Sequence, residues 1–231
     1  MKGIVKGFTV LLFLGIFVAD SSAENRFKPR LSSDLSPAFT KTIDVSIGQF
    51  PGGLQNWLSE KDVEMILGPY MTQIRPDLKG LTPRGYPQGS TWDMSEGLHD
   101  RGKVYLPEFK RFEDEAAQTR IERIDMARVS QVLHHEVGHA IDFQQGFSQT
   151  SVFENTFGRE KAALLANRPS VNNLECLAYF LTPSIGSRKE SFAELFSAIY
   201  NPDPSPEARL LVRHFPETYA LVREMVSKLG E

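Results

Sequence analysis

The spacing of apolar positions changes character near Arg120. Before it, apolar residues fall in short runs broken by Pro, Gly and Ser; after it, they recur at helical spacing almost to the C-terminus. The clearest helix is predicted over 125–145, with Leu133, Val137, Ala140 and Ile141 on one stripe and Gly146 as its stop. Further helices are predicted at about 154–166, 172–181, 188–200 and 206–229, the last interrupted near Pro216. Upstream, Ile43-Asp44-Val45-Ser46-Ile47 alternates apolar and polar as a half-buried strand does. Ser59 followed by Asp62 resembles a helix N-cap and predicts a short helix ending near Gly68-Pro69. The segment 82–97 is rich in Pro, Gly and Ser and predicts a long ordered loop or chain of turns. Val104-Tyr105-Leu106 reads as a strand, which Pro107 ends or confines to a sheet edge because it cannot donate to a ladder. A small mixed sheet followed by a helical half is an α+β order, and no internal repeat is present.

The first residues form a different pattern. Lys2 and Lys6 precede an apolar run from about Phe8 to Ala19, and Ser21-Ser22-Ala23 supplies the small residues that a signal peptidase reads. The run is shorter than the roughly 20 apolar residues that span a bilayer. A secretory signal over 1–23 is therefore expected, then a flexible polar leader over 24–40 and one domain over 41–231. Loss of Lys2, Lys6 and Asp20 with the signal moves the formal charge from −3 to −4. A mildly acidic chain without a basic patch offers nucleic acid no footprint. Cys176 is the only cysteine, so no intramolecular disulfide is available. Its place in the apolar run 174–181 predicts a buried small hydrophobe.

Chemistry enters with His135-Glu136-Val137-Gly138-His139, an H-E-x-x-H sequence inside the best-defined helix. Four residues advance a helix by slightly more than one turn, so both imidazoles face the same way and can share one tetrahedral zinc. Glu136 lies about 100° round the helix, poorly placed as a third ligand but able to take the proton of a water on the metal. Gly inside a helix costs up to about 1 kcal/mol relative to Ala, so Gly138 predicts the close approach of another segment. His134 points elsewhere and reads as a packing or supporting residue. Asp142, within one turn of His139, is placed either to accept that imidazole's other N–H or to sit in solvent.

An open catalytic zinc site with two His needs a third protein ligand. Residue 145 is Gln, so the longer motif with a third His is not present and a carboxylate must serve. Glu190 and Glu194 stand at helical spacing on a face shared with Ala193 and Ser197, opposite Phe192, Leu195, Phe196 and Ile199. One can bind zinc while the other supports it. Ser187-Arg188-Lys189-Glu190 also fits a capping box, in which Glu190 only reaches back to its own helix start. Periodicity does not choose among these roles.

His135 to Asp142 (HEVGHAID) together with Glu190 to Phe196 (ESFAELF) resembles the catalytic domain of the anthrax-lethal-factor-like metallopeptidases, a group that includes the Pro-Pro endopeptidases. The loop Arg84-Gly85-Tyr86-Pro87-Gln88-Gly89-Ser90-Thr91-Trp92 is similar to the same family, and the likeness spans about residues 45–225. The resemblance implies a zincin-like domain with one Zn2+ on His135, His139 and Glu190, Glu194 in support, and Glu136 as catalytic base. The family carries a Tyr seven residues before the ligand Glu, where it steadies the oxyanion; here that position is Pro183, and the nearest upstream candidate is Tyr179.

The leading expectation is thus a secreted or extracytoplasmic zinc endopeptidase acting on a protein or peptide substrate. Substrate strands are expected to add to an edge at Val104, Tyr105 and Leu106. A monomer is expected, without nucleic acid and without stable membrane insertion once the signal is cleaved. The competing expectation is a zinc-binding but inactive interaction module of the same fold, which the loss of the Tyr favours and the intact Glu136 opposes. A purely structural surface protein would leave both motifs as coincidence.

Overall fold

The computed structural model describes residues 27–32, 34–83, 86–113, 118–167 and 175–230. The expected signal over 1–23 lies outside the described residues. The architecture is α+β: a small mixed sheet, a separate hairpin and a mostly helical C-terminal half.

Strand β1 (Arg30–Leu31) is followed by α1 (Pro37–Ile47), α2 (Gly52–Glu60) and β2 (Glu64–Gly68). Three expectations fail here. The leader over 24–40 is not featureless in its described part: β1 pairs in parallel with β2, and Phe27 and Phe39 are buried. The segment 43–47 is not a strand but the last part of α1. Ser36 caps that helix by accepting from the Phe39 N–H at 3.3 Å, and Pro37 stands at its first turn, where a missing N–H costs nothing. Phe39, Ile43, Ser46 and Ile47 are buried at helical spacing, whereas Val45 is exposed. Five residues were too short a window to tell a period of two from one of 3.6. Similarly, 62–68 is not helical. The α2 helix ends at Glu60, Asp62 takes a left-handed φ of 52°, and β2 then buries Met65 and Leu67 on one face.

A four-residue helix α3 (Met71–Ile74) leads into the turn-rich segment expected over 82–97, which contains a 3-10 turn at Trp92–Met94. Then come β3 (Leu98–Asp100) and β4 (Lys103–Pro107), joined by Arg101 and Gly102 at φ 50° and 81°. Positive φ at both central residues is the two-residue turn whose twist matches an antiparallel hairpin. Sheet order is β1-β2-β4-β3, with β1, β2 and β4 parallel and β3 antiparallel to β4. Strand β4 is therefore interior, paired with β2 along its length and with β3 from Lys103 to Tyr105, and the edge beside the helical half is β3. Pro107 is tolerated because the Glu108 N–H donates to Gly68 at 2.9 Å. Alternation then points position 107 toward β3, which has already ended opposite Tyr105. A hairpin of β5 (Phe109–Glu113) and β6 (Thr119–Arg123) stands apart from this sheet.

Helix α4 (Met126–Gln145) runs across the sheet. The Asp125 carboxylate caps its start by accepting from the Ala127 N–H at 2.9 Å, and Gly146, at φ 66°, ends it. Val129, Leu133, Val137, Ala140 and Ile141 are buried, and truncating a buried Leu or Ile to Ala costs about 2–5 kcal/mol. Next come α5 (Ser151–Ala166), α6 (Ile185–Tyr200), α7 (Pro206–His214) and α8 (Pro216–Ser227), with the break at Pro216 as the sequence predicts. The buried Glu160 carboxylate on α5 accepts the N–H groups of Glu217 and Thr218 at 2.8 and 2.9 Å, fixing the start of α8. Of the helix expected over 172–181, residues 175–177 are helical and 178–181 form turns; 172–174 lie outside the described residues. Cys176 is exposed there, because Leu177 and Phe180 take the buried positions of that turn.

Candidate metal centre

Two helices build the site. Helices α4 and α6 come close at Gly138, where an added Cβ would lie 2.8 Å from the Ala193 Cα and 3.0 Å from its carbonyl oxygen. Gly138 stands between His135 and His139, and Ala193 between Glu190 and Glu194. That single contact therefore sets the two histidines against the two glutamates.

His135 Nε2 and His139 Nε2 lie 3.0 Å apart, and the Glu190 Oε2 is 3.3 Å from each. An ion bonded tetrahedrally at about 2.0–2.1 Å to N and O atoms separates its ligand atoms by about 3.3 Å. The three groups thus form a cluster within metal-binding distance. Two imidazoles and a carboxylate are a donor set of catalytic zinc sites that leave one position open. Glu190 has no capping role. The N-cap of α6 is Ser184, whose hydroxyl accepts from the Ser187 N–H at 3.1 Å.

Glu194 stands a turn further on. Its Oε2 is 2.6 Å from His135 Nδ1, and its other oxygen accepts from the Ser205 hydroxyl. The same Ser205 oxygen caps α7 by accepting the Ala208 N–H at 2.9 Å. A carboxylate on Nδ1 holds that proton, which leaves the Nε2 lone pair of His135 facing the cluster. Burial opposes a charge on His135, but the Glu190 and Glu194 carboxylates outweigh it and hold its pKa well above the ordinary 6.5. Burial likewise opposes the charged form of Glu190, and the hydrogen bonds to His135 and His139 outweigh it, so its pKa is lowered.

Glu136 is outside the cluster, on the wall of the adjoining cleft. Burial raises its pKa above the usual carboxylate value, Glu190 adds to this, and His135, His139 and a hydrogen bond from the His99 backbone oppose it. Asp142 differs from expectation. Its two oxygens accept from the Ser148 N–H at 2.7 Å and the Ser148 hydroxyl at 2.6 Å. It therefore ties the end of α4 to the following turn rather than orienting His139. His134 is fully buried, donates from Nδ1 to the Ser130 carbonyl at 2.7 Å and packs edge-on against Phe50, a packing role as expected.

The cleft has two compartments. A smaller one of about 260 Å³ is bordered by Tyr86, Glu96, Gly97, Glu136 and Phe180, among others. A wider one of about 620 Å³ is bordered by Trp92, His99, His139, Tyr179 and Glu190. Tyr179 is thus on the cleft wall, 60% exposed. Val104 and Leu106, by contrast, belong to the core, and Tyr105 packs beneath the Arg75 guanidinium at 4.9 Å.

Sequence reading missed Gly97, His99, Tyr86 and Ser205. Gly97 lies so close to α4 that an added Cβ would stand 2.4 Å from Val132 Cγ1 and 3.0 Å from Glu136 Cγ. A glycine just before a short strand was the available signal for such an approach. His99 stacks on His139 at 6.2 Å, and its Nε2 accepts the Gly102 N–H at 3.0 Å. Burial, with His139 nearby, brings its pKa down to about 4, so the ring is neutral with its proton on Nδ1.

No family model matches the chain, and no curated protein matches it at a significant level.

Proposed function

We propose that this chain is an exported zinc endopeptidase of zincin-like fold, akin to the lethal-factor-like group. The observation that carries the reading is the spacing of His135 Nε2, His139 Nε2 and Glu190 Oε2, each pair 3.0–3.3 Å apart, with Glu136 on the adjoining cleft wall. A zinc ion held there supplies a Lewis acid for a peptide carbonyl and lowers the pKa of a water. Glu136 takes the proton of the attacking water and passes it to the leaving amide nitrogen. Glu194 keeps His135 in the tautomer that presents Nε2.

The β3 edge supports peptide binding. The turn at Arg101-Gly102 makes Asp100 and Lys103 the hydrogen-bonded closing pair, so the backbone polar groups of His99 face away from β4. An extended substrate lies along that edge and crosses the metal site. One observation favours the competing module without catalysis: Pro183 puts no hydroxyl beside the site.

Both readings require metal and only one requires turnover. The mature protein, purified without chelators, is expected to carry about one zinc, and His135→Ala or His139→Ala to remove it. Zinc-loaded wild type is expected to cut members of a diverse peptide library read by mass spectrometry. Glu136→Gln is expected to keep zinc and fold while losing about 10²- to 10⁴-fold in rate, as removal of a general base does. Zinc without Glu136-dependent cleavage would select the module; no zinc at all would remove both readings.

A further inference from the structure

We propose that Tyr86 donates its hydroxyl hydrogen to the oxyanion that forms during hydrolysis, an inference that rests on the peptidase reading above. When water adds to a peptide carbonyl, negative charge grows on the carbonyl oxygen. A hydrogen-bond donor aimed at that oxygen, in addition to a metal, lowers the barrier. Such a donor must reach the space between the metal ligands and the general base.

Only a few residues border that space from both sides. Tyr86, Gly97, His135 and Glu136 line both compartments of the cleft. Gly97 has no side chain, His135 is committed to the metal cluster and Glu136 is the base, which leaves Tyr86. Other hydroxyls border the wider compartment alone: Thr182 donates to the Tyr179 carbonyl at 3.0 Å, Ser187 donates to the Thr182 carbonyl at 2.6 Å, and the Ser95 hydroxyl, buried without a partner, does not line the smaller compartment. Ser184 caps α6. Among the described residues, the Tyr86 hydroxyl has no hydrogen-bond partner.

Its backbone is held. The Tyr86 N–H donates to the Pro83 carbonyl at 3.2 Å, and the next turn closes from the Ser90 N–H to the Pro87 carbonyl at 3.1 Å. The ring is 44% exposed, against 60% for Tyr179, which borders only the wider compartment. Burial first, then Glu96 and Glu136, raise the phenol pKa above its usual 10, against the opposing effect of Lys110 and Arg128. The hydroxyl therefore keeps its proton wherever the enzyme works and is a donor in the ground state.

The test compares zinc-loaded wild type, Tyr86→Phe and Tyr179→Phe on the best-cleaved library peptide. Tyr86→Phe is expected to lower kcat by about 10²- to 10³-fold, the usual cost of one oxyanion donor, with KM and zinc content unchanged. A second readout does not need turnover. A phosphinic analogue of that peptide, whose tetrahedral centre imitates the oxyanion, should bind Tyr86→Phe about 10-fold or more weakly than wild type. The intact peptide, measured on Glu136→Gln with and without Tyr86→Phe, should bind equally. Because each affinity is read as a ratio with and without Tyr86→Phe, a change in melting temperature does not obscure the difference between the two ratios. Wild-type kcat and phosphinate affinity in Tyr86→Phe would overturn the assignment, as would a kcat loss confined to Tyr179→Phe. Failure of zinc-loaded wild type to cut any peptide in a Glu136-dependent way overturns the peptidase reading and this inference with it. Glu136-dependent cleavage at the wild-type rate in Tyr86→Phe overturns this inference alone.

Discussion

Gly138 and Ala193 meet backbone to backbone, with room for no side chain at position 138. This contact decides how far α6 stands from α4, and hence whether Glu190 reaches the two imidazoles. Gly138→Ala should gain about 1 kcal/mol of helix propensity and lose about 1–3 kcal/mol to overpacking, because the clashing atoms are backbone. The expected outcome is a lower melting temperature together with weaker zinc binding. Gly158 on α5 is the control, since an added Cβ there meets nothing within 4 Å. Gly158→Ala should raise stability by about 0.5–1 kcal/mol and leave zinc affinity unchanged. Equal behaviour of the two variants in thermal melts would show that the close approach is not limiting.

The two glutamates should separate in a chelator competition. Glu190→Ala removes a ligand and is expected to weaken zinc binding severely. Glu194→Ala leaves the ligands in place but frees His135 Nδ1, at a cost of about 10- to 100-fold in affinity. Greater damage from Glu194→Ala would reverse the assignment of third ligand.

Glu136 should depend on Gly97. A methyl at position 97 would meet both Val132 and the Glu136 side chain, and displacement of a reacting group by about 1 Å can cost 10²-fold in rate. Gly97→Ala is expected to lose cleavage by about that factor while keeping zinc, since Gly97 touches no ligand of the cluster. Measured zinc content and kcat on the same preparation decide it: loss of both together would place Gly97 in the metal site instead.

Acid should affect the metal-free and zinc-loaded forms in opposite ways. In the metal-free protein the raised pKa of His135 contributes stability that is complete below the ordinary 6.5 and is lost as pH rises through the folded value. The lowered pKa of Glu190 contributes stability present above the ordinary 4.5 and lost as pH falls through the folded value. The pair is therefore at full strength from about 4.5 to 6.5 and fades on the alkaline side. Zinc must displace the His135 proton, so its stabilisation should grow as pH rises. Thermal melts across this range, with chelator and with zinc, should show curves that diverge toward alkaline pH. Parallel curves would mean that no proton is exchanged for metal.

How much of this was legible in the chain follows from how local each signal is. The α4 helix could be read almost to the residue because its cap, its stripe and its stop lie within about twenty consecutive positions. His135, Glu136 and His139 came with it, since their common direction is a property of one helix. The need for a carboxylate ligand, and its restriction to Glu190 or Glu194, also followed from the sequence. Helix α1 was misread because its evidence, Ser36 and Pro37, lay outside the short window that alternated. Only the tertiary structure decided which glutamate meets the imidazoles, that Asp142 binds Ser148, that β3 rather than the Val104 segment is the edge, and that Gly97 and Tyr86 face Glu136. Each is a contact between segments tied to no sequence period. Such contacts are set by how closely helices and strands can pack, and that distance is known only once the chain has folded.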